Sequence, residues 1–297
     1  MLKHLSGVVT AMVTPLHDDE TINLESVTQL THFLIDKGIS GLFPLGTNGE
    51  CMRLSVLERK AVAETVIKAA SRSDVPVFVH TGAVAMADTL ELTRHAQAIG
   101  ADGVAVVTPS YFKLTDEELF EFYKTVAESV SSDFPIYVYN IPQCTVNDIS
   151  VSLMKRLYTE IPNIVGIKYS FADTERTQAY CAIEGLSVLH GADTLYPEMM
   201  TLGCDGIVSG LSGAYPEPFV KQVQAYNENR TDDVLYWREK ALLVGEATDH
   251  GNISHIKYII SQRGINVGDI RRPALPPSEE KRAIIRTSMK EIDKEIS

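Results

Sequence analysis

Three segments of this 297-residue chain repeat one pattern, Gly-x-x-Gly followed by an apolar run. They begin at Gly38, Gly100 and Gly203. The first glycine of each pair suits the left-handed backbone conformation that ends a helix, and the second suits a strand that must approach its neighbours closely. Each segment therefore predicts a unit of helix, short loop and strand. Repetition of this unit restricts the chain to folds in which helices and strands alternate.

Five further apolar runs predict strands without the paired glycines. Together with the three repeats they give eight predicted strands, and their apolar residues run continuously instead of alternating with polar ones. Continuous runs are typical of parallel strands that are covered on both faces. The five runs lie at residues 7–10, 75–80, 134–140, 164–168 and 187–190.

Segments of helical length separate the predicted strands, and several open with Ser, Thr, Asp or Asn, the residues that cap helix N-termini. A doubly wound open sheet is the alternative for such an order, but it commonly uses fewer strands, and the Gly-rich dinucleotide fingerprint after the first strand is absent. The order therefore predicts an α/β fold, a (β/α)8 TIM barrel. The predicted helices include residues 23–37, 55–71, 88–99, 115–130 and 150–158.

The strand pattern disappears beyond about residue 225. Residues 232–248, 252–263 and 278–296 have helical patterns, and prolines at 273, 276 and 277 separate the last two. We therefore predict a catalytic barrel over residues 1–224 and a C-terminal helical appendage, residues 225–297, packed on it.

Composition restricts the partners and the compartment. The chain has 27 Lys+Arg against 39 Asp+Glu, a formal charge of -12, which disfavours nucleic acid and anionic membranes and favours a small-molecule ligand. No apolar run approaches membrane-spanning length, and residues 1–6 lack the apolar core of a secretion signal, so we expect a cytoplasmic protein. The four cysteines are widely spaced without a C-x-x-C pair, which predicts small buried thiols and neither a zinc site nor a disulfide framework.

Lys168 is a lone cation at the end of the apolar run 164–168. A buried ammonium is costly unless it is paired or neutralised, and an amine that loses hydration also loses proton affinity. Such a lysine can be a free-base nucleophile that forms a Schiff base with a carbonyl substrate. The alternative is structural, since lysines at strand ends also extend their ammonium groups into water.

Four predicted strands end in polar motifs, and barrel enzymes build their active sites at the carboxyl ends of strands. The second ends in GTNGE, the fourth in TPSY, the fifth in YNIP and the sixth in Lys168. Each alone is explained as a turn or a strand cap. Together they supply what Schiff-base chemistry needs, because Thr47 and Asn48 can donate to a substrate carboxylate. Tyr139 can move protons at the carbonyl oxygen, and a threonine hydroxyl can relay them to a second phenol, Tyr111.

A Gly-rich loop, residues 209–214, follows the eighth predicted strand. Many barrels bind phosphate at this position, so an enzyme of phosphorylated sugars is one alternative. No Arg or Lys follows in the sequence before Lys221, however, which disfavours a phosphate site. The loop equally gives room for an uncharged polyol.

These strand ends resemble those of the dihydrodipicolinate synthase and N-acetylneuraminate lyase family, the pyruvate-dependent class I aldolases, over nearly the whole chain. GTNGE is similar to the family's pyruvate-carboxylate loop, YNIP to its tyrosine motif, and GIK at residues 166–168 to its Schiff-base lysine. The resemblance implies that Lys168 forms an imine with pyruvate and that Tyr139 is the acid/base phenol. It also implies that Thr47 and Tyr111 complete a proton relay.

The resemblance further implies the binding residues and the assembly. Thr47 and Asn48 would hold the pyruvate carboxylate, and Gly191 and Val208 would line the lysine. In this family the relay tyrosine reaches in from a neighbouring subunit, so Tyr111 implies a homodimer, commonly assembled into a tetramer. No metal and no cofactor are implied, because the imine forms directly with the substrate.

Departures from the family pattern concern the second substrate. The family's synthases carry an arginine two residues after the tyrosine-motif proline, and here that position is Cys144, which cannot replace a bidentate guanidinium. Its sialic acid lyases carry Gly-x-Asp-Glu after the seventh strand; this chain keeps Asp193 but has Thr194 in place of the glutamate. Asn48 puts an amide where both branches have a hydroxyl. The remaining rim is rich in hydroxyls and weakly charged, which suits a polyhydroxy aldehyde: Ser170, Asp193, Thr194, Ser209 and Ser212.

The leading hypothesis is a reversible aldolase that cleaves a 2-keto-3-deoxy sugar acid to pyruvate and an aldehyde through an imine on Lys168. Within the class the alternatives are N-acetylneuraminate lyase, 4-hydroxy-tetrahydrodipicolinate synthase, which Cys144 disfavours, and a dehydratase or hydratase of related keto acids. Outside enzymes, the alternative is a barrel that binds pyruvate as a sensor.

Overall fold

Eight short parallel strands form one sheet in the computed structural model, which describes residues 2–296. The strands are β1 (Gly7–Ala11), β2 (Gly41–Phe43), β3 (Phe78–His80), β4 (Gly103–Val107), β5 (Ile136–Asn140), β6 (Ile164–Tyr169), β7 (Ser187–His190) and β8 (Gly206–Ser209). Their order is β2-β1-β8-β7-β6-β5-β4-β3, and a bridge between Leu42 and Val77 joins the two outer strands. The sheet therefore closes into a barrel, which confirms the predicted fold.

Helices separate successive strands and cover the outside of the barrel. The 23–37, 55–71, 115–130 and 150–158 predictions are confirmed within two residues at every end, with Asn23, Ser55, Thr115 and Ser150 as N-caps. The barrel helices are α1 (Leu24–Asp36), α2 (Val56–Ala70), α3 (Met86–Ala98), α4 (Asp116–Glu128), α5 (Pro142–Thr145), α6 (Val151–Glu160), α7 (Thr174–Cys181), α8 (Tyr196–Thr201) and α9 (Pro216–Asn227).

Three predicted starts are displaced by two or three residues. Strand β3 begins at Phe78 instead of residue 75, and β5 begins at Ile136 instead of residue 134. Each predicted start includes a proline, Pro76 or Pro135, which has no N–H to donate to a neighbouring strand. Helix α3 begins at Met86 rather than at residue 88, without a side-chain cap.

The repeated glycine pairs have the two predicted roles. Gly38, Gly100 and Gly203 follow helices α1, α3 and α8 with φ values of +81°, +81° and +98°. At the second glycine of the later two pairs, a β carbon would lie closer than 3.0 Å to other residues: at Gly103 to Phe78, and at Gly206 to the backbone of the first strand. The first glycine therefore ends a helix, and the second lets adjacent strands approach.

Two apolar clusters make up the core. The larger lies between the strands and the surrounding helices, and the smaller fills the interior of the barrel. Phe43, Tyr139 and Val208 belong to the interior cluster. Side chains at the carboxyl ends of these strands therefore rest on a packed interior and not on a water-filled pore.

Three C-terminal helices follow the barrel, as predicted, at α10 (Thr231–Ala247), α11 (Ile253–Gln262) and α12 (Glu279–Ile296). Lys257 of α11 is fully buried, and its Nζ donates to the backbone oxygens of Thr14 at 3.0 Å and Asp269 at 2.6 Å. The predicted boundary at 224/225 falls inside α9, and the division into two domains stays a prediction. Met1 and Ser297, the outer limits of the two predicted domains, lie outside the described residues.

The cysteines only partly match their prediction. Cys51 and Cys204 are buried, but Cys144 is exposed and Cys181 is intermediate, so burial of all four thiols is wrong. All four are free, although the Sγ atoms of Cys181 and Cys204 are 3.7 Å apart. Within residues 2–296, none of the helices has both the length and the apolar character needed to span a membrane.

Candidate active site

Lys168 and Tyr139 lie side by side at the carboxyl ends of β6 and β5, where their Cα atoms are register partners. The Lys168 Nζ lies 3.9 Å from the centroid of the Tyr139 ring and 4.3 Å from that of Phe43 on β2. Only 4 % of Lys168 is exposed. The alternative in which this side chain extends its ammonium into water is therefore wrong.

Burial sets the protonation state of Lys168. It lowers the pKa of the amine from 10.5 to about 7, because the charged form loses hydration, while the negative charge of Asp193 partly opposes the shift. Among the described residues no carboxylate forms an ion pair with Nζ. A large fraction of this lysine is therefore unprotonated, and hence nucleophilic, at neutral pH.

The Tyr139 phenol is hydrogen bonded to the hydroxyl of Thr47 at 3.0 Å. Burial raises the pKa of Tyr139 to about 12, and hydrogen bonds with Thr47 and Ser170 oppose that shift. The phenol is thus protonated in the resting site and is already connected to a second hydroxyl. This pair can donate, accept and relay protons beside the lysine.

The loop that carries Thr47 is anchored by Glu50. Glu50 is 5 % exposed and has a left-handed backbone, with φ of 57°. Its carboxylate accepts hydrogen bonds from the Lys257 ammonium at 3.2 Å, the Arg53 guanidinium at 2.9 Å and the Arg271 backbone N–H at 2.9 Å. The C-terminal region therefore fixes the position of the Thr47 loop.

The predicted binding residues on β7 and β8 lie on another side of Lys168. A β carbon at Gly191 would lie closer than 3.0 Å to Ser170, and one at Gly210 would overlap the amide of Asn48. These two glycines make room for the polar side chains beside them. Val208 is 4 % exposed and faces the barrel interior.

The side chains of Asp193 and Ser209 are hydrogen bonded to each other. The Asp193 carboxylate accepts hydrogen bonds from the Ser209 hydroxyl and from the Leu211 backbone N–H at 3.1 Å, and burial raises its pKa. Ser212 is fully buried with its hydroxyl 2.8 Å from that of Thr10. The hydroxyls of Ser209 and Ser212 are thus already engaged within the protein.

Tyr111 is not brought to the Lys168 site of its own chain. It is 80 % exposed, its φ is 77°, and its ring packs edge-on against Phe112 at a centroid distance of 5.0 Å. A ring that a left-handed backbone holds outward can reach another molecule. Within its own chain, the Tyr111 ring does not contact Thr47.

A cavity of about 240 Å³ opens beside the reaction centre, with Thr47 and Tyr139 in its wall. Its size suits a small organic acid. Cys144 lines it as the family pattern leads one to expect, but sequence reasoning missed several other lining residues: Cys51, Arg53, His80, Val107 and Ile253. Arg53 had a sequence signal, because it follows the GTNGE motif by only three residues.

His80 at the end of β3 is a neutral member of this wall. Its Nδ1 lies 2.8 Å from the backbone oxygen of Leu45, to which it donates, and burial holds the pKa of the ring well below 6.5. Its Nε2 has no hydrogen-bond partner among the described residues. In residues 2–296 no group of three or more His, Cys, Asp or Glu side chains is arranged to hold a metal ion.

Comparison with known proteins agrees with this geometry. A model of the dihydrodipicolinate synthetase family matches residues 4–292. The chain belongs to this family. It is therefore an enzyme of the class I aldolase and lyase type, built on a TIM barrel.

Relatives in the family carry more than one name. A 4-hydroxy-tetrahydrodipicolinate synthase of Methanothrix thermoacetophila is 36% identical over 286 residues, 94% of each chain. An uncharacterised DapA-like lyase of Halobacterium salinarum is 33% identical over 290 residues, 97% of this chain and 94% of its own. The family assignment is thus firm, whereas the names differ.

Solved structures of the family have the same fold. YagE, a prophage protein of E. coli K12 in complex with pyruvate, has a TM-score of 0.90 at 29% identity and covers 97% of this chain and 98% of its own. The N-acetylneuraminate lyase of Proteus mirabilis has a TM-score of 0.90 at 27% identity and covers 98% and 99%.

Proposed function

We propose that the protein is a reversible class I aldolase that cleaves a 2-keto-3-deoxy sugar acid to pyruvate and an aldehyde through an imine on Lys168. The observation that carries this proposal is the buried Lys168 amine, with its lowered pKa, in contact with the Tyr139 ring. The lysine needs no external cofactor, because its own nitrogen supplies the electron sink.

The first stage forms the imine. The free amine of Lys168 attacks the C2 carbonyl carbon of the keto acid, and the oxygen takes a proton to give a carbinolamine. Loss of that oxygen as water leaves the protonated imine. Tyr139, whose phenol is hydrogen bonded to the Thr47 hydroxyl, would deliver and remove these protons. Thr47 and Asn48 would bind the C1 carboxylate.

The second stage breaks the C3–C4 bond. The bonding pair moves into the protonated imine and makes an enamine, while the C4 hydroxyl loses its proton, through Tyr139, and becomes the aldehyde carbonyl. The enamine then takes a proton at C3, and water hydrolyses the imine to release pyruvate and the free amine. The reverse sequence joins pyruvate to an aldehyde.

The same proposal covers the subunit assembly, the two parts of the chain and the compartment. Tyr111 would complete the proton relay of a neighbouring subunit in a homodimer or homotetramer, since it is exposed and turned away from its own site. The barrel, residues 1–224, would carry the catalysis and residues 225–297 would support it. We propose that the enzyme acts on small molecules in the cytoplasm.

Borohydride reduction in the presence of pyruvate, followed by peptide mass mapping, tests the proposal. The expected result is a stable adduct on Lys168 that is absent without pyruvate and absent in Lys168→Ala. Pyruvate release from a panel of keto acids then identifies the substrate. Turnover confined to condensation with aspartate semialdehyde would instead support the synthase, and tight pyruvate binding without any turnover would support the sensor.

A further inference from the structure

Arg53 is the cation that lines the cavity beside the reaction centre. It ends the short 3-10 helix Cys51–Arg53, which directly follows the Thr47 loop, and its side chain is 35% exposed. One nitrogen, Nη1, donates to a Glu50 carboxylate oxygen at 2.9 Å. Glu50 thus holds one nitrogen of the guanidinium. Among residues 2–296, its Nε and Nη2 have no protein partner.

Glu50 does not neutralise this charge, because it is shared. Its other carboxylate oxygen lies 3.2 Å from the ammonium of Lys257, which is fully buried and forms no other ion pair in the described chain. The nearby Arg271 guanidinium is paired with Glu58 at 2.7 Å. One carboxylate therefore faces two cations, and the cluster of Arg53, Glu50 and Lys257 has a net positive charge at the cavity.

The rest of the cavity wall offers nothing to balance Arg53. Apart from the engaged Glu50, the lining side chains carry no carboxylate, and Val107, Ile141 and Ile253 are apolar. Asp193 is bonded to Ser209 and is not part of this wall. A free guanidinium edge with apolar walls favours an anionic ligand, since a carboxylate or a phosphate accepts two parallel hydrogen bonds from it.

We propose that Arg53 binds an anionic group, a carboxylate or a phosphate, at the end of the substrate remote from the keto carbon. This inference rests on the proposed function and narrows it: the aldehyde half of the substrate is charged, and the keto acid is a diacid or a phosphate ester. Arg53 thus supplies the positive charge that an arginine at position 144 would supply, because the Cys144 thiol is uncharged. Arg53 follows the GTNGE motif, whereas position 144 follows the tyrosine motif.

Two matched keto acids test the role of Arg53. 2-Oxoadipate and 2-oxohexanoate have the same chain length and differ in one terminal carboxylate, and neither has the C4 hydroxyl that cleavage requires. Calorimetric titration of the wild type is expected to give at least about tenfold tighter binding of 2-oxoadipate, equivalent to about 1.4 kcal/mol. In Arg53→Ala the preference is expected to vanish, and in Arg53→Lys to be reduced.

The matched control is Arg156→Ala. Arg156 is also a half-exposed arginine in an ion pair, with Glu117, but it lies on α6 outside the cavity. It is expected to keep the preference of the wild type. Arg53→Gln, which keeps a polar side chain without the charge, guards against a loss that comes from misfolding, and thermal unfolding of each variant checks its stability.

Turnover distinguishes the two anions. The panel compares a 2-keto-3-deoxy hexonate, its 6-phosphate ester and its C6 diacid, and the form with the highest kcat/KM identifies the group that Arg53 binds. Equal binding of the two oxo acids by the wild type, or a preference that survives in Arg53→Ala, would overturn the inference while the imine on Lys168 still formed. Failure to trap pyruvate on Lys168 would overturn the proposed function, and the titration would still decide the role of Arg53.

Discussion

Lys168 obtains its reactivity and its thermodynamic cost from the same burial. The side chain is 4 % exposed against two aromatic rings, and no carboxylate of the described chain pairs with it. Removing hydration from an ammonium favours the neutral amine, which is the nucleophile. The same loss of hydration makes the folded state less stable than it would be with an apolar side chain here.

The pH dependence of imine formation follows from this pKa. Since the pKa of Lys168 falls from 10.5 to about 7, the free amine fraction rises as pH increases through 7 and is nearly complete above about 8. The initial rate of pyruvate trapping by borohydride is expected to increase from about pH 5.5 to about pH 8 and then to level off. A rate that continues to rise beyond pH 9 would contradict a lowered pKa.

Lys168→Met is expected to stabilise the protein. Between pH 7 and 10.5 the unfolded lysine binds a proton that the folded one does not, so the cost of Lys168 falls as pH rises. At about 1.4 kcal/mol per pKa unit, the variant should be more stable by a few kcal/mol at pH 7. Urea unfolding at pH 7 and 9.5 measures the difference, which should narrow at the higher pH.

Tyr139→Phe is expected to lower kcat by about 10²- to 10⁴-fold, because the phenol that moves protons is lost while the ring remains. Tyr137→Phe is the matched control on the same strand. Burial also raises the pKa of Tyr137 to about 12, but its hydroxyl bonds to Ser187 and to the Leu5 backbone N–H, away from Lys168. Steady-state kinetics compares the two; an equal loss of kcat would argue against a proton-transfer role.

At the scale of elements, helix α11 supports the loop between β2 and α2. Lys257 in α11 and Glu50 in the loop form a buried ion pair, and the same carboxylate accepts from the Arg271 backbone. A single charge buried away from water costs much desolvation free energy, whereas two opposite charges buried together compensate each other. The pair therefore ties the C-terminal helices to the position of Thr47.

Lys257→Met is expected to lower the free energy of unfolding by about 1 to 3 kcal/mol, because one Glu50 oxygen and the backbone oxygens of Thr14 and Asp269 lose their buried donor. The double variant Glu50→Gln/Lys257→Met should lose less than the sum of the two single variants, since it removes both charges. Urea unfolding of the four proteins completes the cycle. Strict additivity would mean that the two side chains do not interact.

Local sequence patterns predict most of the elements and the placement of Lys168 and Tyr139 at one end of the barrel. Gly38 and Gly100 could be assigned because a left-handed helix end requires glycine, and Lys168 because parallel strands bring their carboxyl ends to one edge. Pro76 and Pro135 precede β3 and β5 and have no N–H to donate, so the number of backbone donors itself predicts the shorter strands.

Other features depend on residues that are distant in sequence. The net positive charge of the cluster that contains Arg53 exists because Glu50 is shared with Lys257, which lies 207 residues after Glu50. Likewise the engagement of Ser212 depends on Thr10, 202 residues earlier. No local pattern reports such pairings, so the charge of the cavity wall and the hydrogen bonding of Ser212 follow only from the three-dimensional structure.

At the scale of the whole molecule, the outward Tyr111 predicts catalysis shared between subunits. In a mixed dimer of Lys168→Ala and Tyr111→Phe chains, the Tyr111→Phe subunit keeps its lysine and receives an intact tyrosine from its partner. One site is then complete. Mixing the two inactive variants under conditions that exchange subunits is expected to restore activity, measured as pyruvate release; no recovery would place the function of Tyr111 within its own chain.

Closure of the barrel and anchoring of the Thr47 loop both depend on late parts of the chain. Strand β1 pairs with β8, so that Gly7 lies opposite Gly206, and Glu50 finds its partner only at residue 257. A nascent chain still emerging from the ribosome therefore contains Lys168 and Tyr139 before the wall around them can close. The lowered pKa of Lys168, and with it the free amine, therefore arises only when that wall is complete, because an exposed lysine stays protonated at neutral pH.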